Sequence, residues 1–531
     1  MDTDCIDYRS LHQFSSLIKD YLDQNPKVQS WYNRYPNLEN FKAQLVEKSA
    51  NYPSEFRSVL VAELKDQFRG FEISEKTKVN LDSLHSSTTF SVTTGHQLNL
   101  FTGPVYFIYK IVSVINLCNE LKKTYPEHDF VPVYWMATED HDFEEIQSFR
   151  FQNTKITWNT PQTGAVGRFL IDDTFEPTRE TFYAQIPSGE RGDFLRELFN
   201  AAYQKGRTLA EATRHLVHSL FDEHGLVIID GDAHSLKKAF VPFVLQEIRE
   251  QVSNLAVQKT IQEFAPYKVQ VNPRETNLFY LAEGIRERIV VEKNNVSILN
   301  TALQFSLAEF ESMIQNNPQC ISPNVLLRPL YQEIILPNLA YIGGGGEIAY
   351  WLELKTMFSQ FKVTFPLLML RNSVVNVTQK QEQKRQKLAV SYEELFNTQE
   401  QLQISSTQRL SSLNFDFESQ KQFLKDQFES LYQLALQTDK SFVGAVKAQE
   451  QKQIKGLENL QKRMIRAEKR VHSEQLERII ALQNELFPNQ GLQERSANFS
   501  TFYMEFGPVW MERLLQELNP LESCFSVFIF D

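Results

Sequence analysis

Short, continuous apolar runs, each ending in a polar or glycine-rich cluster and followed by an amphipathic segment, recur along the chain from Thr89 onward. "TFSV" leads into "TTGHQLNLFTGPVYFIYK" (Thr93 to Lys110), and "FVPVYWMA" (Phe130 to Ala137) into "TEDHDFEEI". "GLVIIDGDAHSLKKAFVPFVLQEI" (Gly225 to Ile248) and "KVTFPLLMLRNS" (Lys362 to Ser373) repeat the pattern. Apolar strands alternating with amphipathic helices predict a parallel sheet covered on both faces, hence an α/β core. In such sheets the ligand crevice lies beyond the carboxyl ends of the strands. Gly95-His96-Gln97, the cluster from Glu139 to Asp142, Asp230-Gly231-Asp232 and Arg371-Asn372-Ser373 all follow strands, so the pattern predicts that they share one crevice.

The rhythm also divides the chain. Residues 1–88 read as helices, as in "YPSEFRSVLVAELKDQF" (Tyr52 to Phe68). Residues 89–148 form the first half of the core, 206–252 its middle and 324–375 its last part. Two stretches interrupt it as insertions. Residues 149–205 carry hairpin-like pieces ("TKITW", "GRFLI"), and 253–323 a strand meander with a turn at Asn294-Asn295. From Pro366 to Pro488 no proline occurs and Gln, Glu, Lys and Leu dominate, which predicts long helices. Leu457, Leu460, Met464, Ala467 and Val471 repeat at spacings of three and four, and Ile479, Leu482 and Leu486 resume the seam. Residues 376–487 are thus expected to be a coiled coil of two long antiparallel helices, broken near Ser405 to Ser419. The aromatic segment 488–531 should dock on the core.

A length of 531 residues suggests two or three domains, and 42% apolar content suffices for their cores. The net charge of −11 argues against a broad basic surface for nucleic acid. Cys5, Cys118, Cys320 and Cys524 lie far apart with no CxxC pair, so free thiols in a reducing cytoplasm are expected. The N-terminus lacks a signal-peptide apolar region and no run reaches membrane-spanning length, which predicts a cytosolic protein.

Each polar cluster admits two readings. The Gly95 loop is either a tight strand-to-helix turn or a nucleotide site, in which glycine admits phosphate to helix N–H groups and His96 donates to a phosphoryl oxygen. It matches neither the Walker A nor the GxGxxG pattern. "EDHDFEE" is either an acidic helix start or a reactive cluster. In the second reading Asp140 and Asp142 hold Mg2+ or an amine, and His141 acts as acid or base. A zinc site from His96, Asp140 and His141 is conceivable, but the chain does not show one and no metal ligand is assigned. The four glycines of "YIGGGGEIAYW" are either a connector or a close approach to a ligand beside Glu347 and Tyr350. Arg274 with Glu275, and Arg328 with Glu333, read as structural salt-bridging positions.

Assembled in order, "VTTGHQLNLFTGPVYFIYKI", "VPVYWMATEDHDFEEI", "NPRETNLFYLAEGIRERIV" and "SPNVLLRPLYQEIILPNLAYIGGGGEIAYWLELK" resemble the cysteine-adding enzyme family of bacillithiol biosynthesis. The resemblance spans essentially the whole chain. It implies a Rossmann-like core related to the class I aminoacyl-tRNA synthetase nucleotidyl-transfer fold, two connecting-peptide-like insertions, and a coiled coil that pairs subunits into a homodimer. It further implies a cytoplasmic ligase that joins L-cysteine to the amino group of glucosaminyl-malate as the last step of bacillithiol synthesis, with ATP and Mg2+. On this reading Thr94, Gly95, His96, Gln97, Asn99, Gly344, Arg371 and Ser373 contact the nucleotide, and Asp140, His141, Asp142, His96 and Gln97 carry the chemistry. Two departures stand out: "LRNS" replaces the KMSKS-like lysine pair, and no cysteine-based zinc site is present. Competing readings are a nucleotide-binding dimeric scaffold that recruits the true ligase, and a synthetase-like aminoacyl transferase acting with tRNA.

Overall fold

The computed structural model describes residues 4–438 and 440–531. They fall into two compact units: one holds residues up to 376 together with 494–528, the other 377–493 with 529–531.

The larger unit is built on a five-stranded sheet. Its strands are β1 (Thr89–His96), β2 (Asp129–Met136), β3 (Val227–Asp230), β4 (Asn338–Gly343) and β5 (Leu367–Leu370). Their order is β5-β4-β1-β2-β3 and every pairing is parallel. The chain starts at the middle strand, builds outward to β3, then crosses to the other side of β1. Every residue of β1 is buried, which fits a strand covered on both faces. Pro132 sits in β2 where the β3 ladder has not begun, since β3 pairs only from Val133 onward.

Four helices matter to the site: α1 (Tyr106–Thr124), α2 (His234–Glu250), α3 (Leu327–Ile335) and α4 (Gly345–Leu352). Val114, Leu117 and Leu121 of α1 bury against Phe90 and Val92 of β1, Leu339 and Ile342 of β4, and Leu367 of β5. Each such side chain contributes about 1.5–3 kcal/mol, enough to fix the strand tips in place.

The first insertion opens with the hairpin Ser148–Phe151/Thr154–Thr157 and continues in helices. "GRFLI" is not a hairpin strand: Val166–Arg168 is a 3-10 turn and Leu170 makes a single bridge to Thr208. The second insertion carries a five-stranded antiparallel sheet of Leu278–Ala282, Ile285–Glu292, Asn295–Ile298, Gln304–Ser306 and Ile321–Pro323. Its tight turn is Lys293-Asn294, one residue earlier than expected, because Glu292 pairs with Asn295.

Asp4–Asp7 is a strand, antiparallel to the start of Cys524–Phe530, and the pairing joins Cys5 and Cys524 in a disulfide. The expectation of four free thiols is therefore corrected: strand register brings the two chain ends together, and Cys118 and Cys320 stay free and buried. In the smaller unit Glu418–Ala435 packs antiparallel on Lys440–Val471 around Phe428, Ala435 and Val446. The helices Gln399–Leu410 and Glu418–Ala435 are separated by a non-helical stretch. Among the described residues no helix is long and apolar enough to cross a membrane.

Candidate active site

The strand order reverses between β1 and β4, which is where an open parallel sheet leaves its crevice. A cavity of about 790 Å³ opens there, lined from β1 by Gly95, His96 and Gln97 and from β2 by Trp135 through His141. β4 and α4 add Tyr341, Gly344, Gly346, Glu347 and Tyr350, and α3 adds Arg328. The second insertion supplies the facing wall, including Arg274, Asn277, Phe279, Arg286 and Arg288, while Arg371 and Arg495 close the side beyond β5.

Lys110 organises the floor. It is a lone cation in the apolar face of α1, and its ammonium donates to the Gly95 carbonyl at 2.7 Å and pairs with Glu347 at 2.7 Å. Burial pushes the Lys110 ammonium down, while Glu347 holds it up. Burial would also raise the Glu347 carboxyl, but Lys110, the Gly344 N–H at 2.9 Å and the Tyr341 hydroxyl at 2.8 Å keep it below the usual range. Those bonds fix the start of α4 against the tip of β1.

His96 lies between these charges. Its ring stacks on Phe107 with centroids 4.9 Å apart, and its buried Nε2 has no hydrogen-bond partner. Burial, with Lys110 and Arg371 nearby, holds the imidazole well below its ordinary pKa, hence neutral. A buried nitrogen without a protein partner, at the lining of a cavity, is open to a hydrogen bond with water or a ligand.

Across the cavity, Asp140 accepts from Gln97 Nε2 at 2.9 Å and from the His141 N–H at 2.7 Å. Burial pushes its carboxyl up, but these bonds and Arg286 outweigh it and hold the group well below the carboxylate range. Glu139 behaves oppositely: burial raises it despite the Lys237 ammonium at 2.6 Å. Arg286 lies over the Phe279 ring at 4.2 Å and donates to His141 Nδ1 at 2.6 Å, since a guanidinium cannot accept.

Of the residues picked out in the sequence, Gly95, His96, Gln97, Asp140, His141, Gly344 and Arg371 line this cavity. Thr94, Asn99, Asp142 and Ser373 are not among its lining, each for a local reason. The Thr94 hydroxyl is spent on the Ile342 carbonyl at 2.8 Å. Asn99 is buried against the Gly103 turn. Asp142 is exposed. Ser373 accepts from Arg371 behind the wall, at 3.0 Å. Among the described residues the ligating atoms of His96, Asp140 and His141 do not converge.

Arg328 is no salt-bridging position. It hydrogen-bonds Gln332 at 3.0 Å and Tyr350 at 3.3 Å and faces the cavity, whereas Glu333 pairs with buried Lys48. Sequence reasoning missed Lys110, Arg286 and Arg288. Two signals marked them: a single charge inside a buried helix face, and arginines alternating on one strand, hence on one face.

"Bacillithiol biosynthesis BshC, N-terminal Rossmann-like domain" describes residues 1–372, and "Bacillithiol biosynthesis BshC, C-terminal coiled-coil domain" residues 374–530. A Flavobacterium psychrophilum protein named "Putative cysteine ligase BshC" is 52% identical, covering 99% of both chains. One of the same name from Flavobacterium johnsoniae is also 52% identical, with 99% of each chain covered. A Bacillus cereus protein of that name is 28% identical over 94% of this chain and 95% of its own. Matched along its whole length, with a parallel Rossmann-like sheet followed by a coiled-coil region, this chain belongs to the BshC family of bacillithiol biosynthesis.

Proposed function

We propose that the chain is a cytoplasmic ligase that joins the carboxyl group of L-cysteine to the amine of glucosaminyl-malate, closing bacillithiol synthesis at the expense of ATP. The names carried by its relatives support the ligase class. The observation that carries the reading is the unpartnered Nε2 of the neutral His96 ring in a cavity where guanidinium groups outnumber carboxylates.

Amide formation from a free carboxylate lacks a leaving group, and ATP, when bound, supplies one. The residues fit phosphate or carboxylate oxygens at the β1–β4 end. His96 Nε2, Arg371 Nε (buried and unpartnered), Arg328 and the N-terminal turn of α4 converge there. They do not fit a protein-held Mg2+. Glu139 is engaged by Lys237, Asp140 by Gln97, and Glu347 by Lys110. A divalent ion would therefore enter on phosphates, and no step is assigned to it.

Asp140, ionised and facing the cavity, attracts the acceptor's amine. Glu139, raised by burial, is the better proton acceptor as the amine attacks, because a base held far below neutrality takes up little. His141, aligned by Arg286, borders the same space. We further propose that the coiled coil pairs two copies of the chain. Phe423 and Leu460, 68% and 52% exposed on an open groove, supply apolar surface for it.

The test is direct: purified protein with ATP, L-cysteine and glucosaminyl-malate should yield bacillithiol by mass spectrometry, and His96→Ala with Arg328→Ala should abolish it. No product, with or without added divalent metal, would remove the ligase reading. A recruiting scaffold would instead restore thiol production in cells even when Asp140 and His141 are both replaced.

A further inference from the structure

The wall that the second insertion contributes to the cavity carries Arg274, Arg286 and Arg288. Among the described residues none of these guanidinium groups lies within 4.0 Å of a carboxylate oxygen. Contrast Arg371 in the same cavity, which Glu494 neutralises at 2.5 Å. Arg288 goes further: its Nε is buried without any hydrogen-bond partner. Glu139 and Asp140 attract Arg286 from a distance, but its nearest bond goes to a ring nitrogen, His141 Nδ1, and not to a carboxylate. Cations gathered at a partly dry wall with no carboxylate in contact repel each other and lose hydration, a cost that an anionic ligand reduces.

The form of the wall narrows that ligand. Arg286 and Arg288 occupy alternate positions of the strand Ile285–Glu292, so they share one face with their α-carbons about 7 Å apart. Both residues sit in ladder pairs with the strand Leu278–Ala282, Arg286 opposite Leu281 and Arg288 opposite Phe279. The backbone there is committed to the sheet, and the wall offers side-chain forks rather than the N–H cradle that suits phosphate. Planar forks at two separate stations match two carboxylates. Asn277, locked by Asn324 and by the Arg274 backbone, holds the third arginine beside them.

We infer that Arg274, Arg286 and Arg288 form a dicarboxylate clamp that recognises the malyl end of the acceptor. This rests on the ligase reading for the acceptor's identity, and it makes the second insertion the specificity element of the site. It also leaves the β1–β4 end free for the carboxyl group being activated, so the two anionic reactants are held on opposite walls.

The test uses the full chain and two probes that need no turnover, L-malate and ATP, titrated by calorimetry. Wild-type protein should bind L-malate, and Arg288→Gln should weaken that binding about tenfold or more while leaving ATP binding within about twofold. In turnover the variant should raise the KM for glucosaminyl-malate and leave kcat nearly unchanged. Arg274→Gln, at an exposed position, serves as the second variant should Arg288→Gln unfold, and should show the same selective loss. Unchanged L-malate affinity in both variants overturns the clamp, as does a loss confined to ATP, which would make the wall a phosphate site. Variant-sensitive malate binding in a protein that makes no bacillithiol would sink the ligase reading and keep the clamp. Product formation with an unaltered acceptor KM would do the reverse.

Discussion

Arg328 passes directly over the bare α-carbon of Gly95. A β-carbon built there would sit 3.3 Å from Arg328 Nη1 and 3.3 Å from the Tyr341 hydroxyl. Gly95 is thus small because a guanidinium from α3 has to reach the cavity beside it, and its φ is not in the left-handed region. Both neighbours are tied: Arg328 to Gln332 and Tyr350, Tyr341 to Glu347. Gly95→Ala should therefore move functional groups by a few tenths of an ångström without emptying the site. Overpacking of this kind costs about 1–3 kcal/mol, and misplacing a charged contact lowers turnover by about tenfold or more. Steady-state kinetics alongside thermal unfolding would show it. A variant with full turnover would mean that Arg328 need not stand where it does.

Arg371 is held from behind by Glu494, with Nη1 and Nη2 donating at 3.0 and 2.5 Å and side-chain exposures of 5% and 1%. Removing one member of such a pair leaves a buried charge unmatched, at about 3–5 kcal/mol. Glu494→Ala should fall in that range in urea unfolding. The double replacement Arg371→Met with Glu494→Leu should recover most of the loss, because neither charge then remains. A Glu494→Ala protein within about 1 kcal/mol of wild type would show that the pair is hydrated in solution.

These contacts explain what the sequence could and could not reveal. The tips of β1 and β2 were legible because a short strand that is apolar on both faces can only be interior, and the polar residues that follow must then leave the sheet at its edge. The reversal between β1 and β4, and with it the meeting of His96 and Gly344, follows from strand order, which no local pattern encodes. Arg328, Arg286 and Lys110 escaped because a single charge on a helix or strand reads as a solvated face until tertiary structure shows what covers it. Arg371 itself was legible at a strand end, but its partner Glu494, 123 residues away, was not, and neither was the Cys5–Cys524 link across 519 residues. The heptad seam was legible only in part. Ile479, Leu482 and Leu486 are buried as the spacing predicted, yet Leu460 and Val471 are 52% and 71% exposed. Periodicity marks an apolar face, not what covers it.

Glu353, which follows the end of α4, gives the fold a pH dependence separate from the chemistry. Its residue is fully buried, and its carboxylate accepts from the Gln270 N–H at 2.7 Å and the Val271 N–H at 3.3 Å. Burial outweighs those bonds and pushes the group from 4.5 to about 7. The folded chain therefore binds this proton more tightly than the unfolded chain, so between pH 4.5 and about 7 the folded state carries more protons. Its contribution to stability is full below about pH 4.5, declines as pH rises through the window, and is flat above about 7. Because water and local relaxation reach the carboxyl once it is charged, the decline should be about 2 kcal/mol, less than the whole shift would give. Glu353→Gln mimics the protonated form and should lack this slope, so its stability should gain on wild type from about pH 5 to about pH 7 in urea titrations. The bonds anchor residues 270–271, just ahead of Asn272 and Arg274 at the cavity. Amide exchange in that stretch should accordingly quicken with pH, beyond the intrinsic rate, in wild type but not in the variant. Parallel stability curves for the two proteins across that window would mean that the carboxyl titrates in its ordinary range and that the 270–271 anchor does not respond to pH.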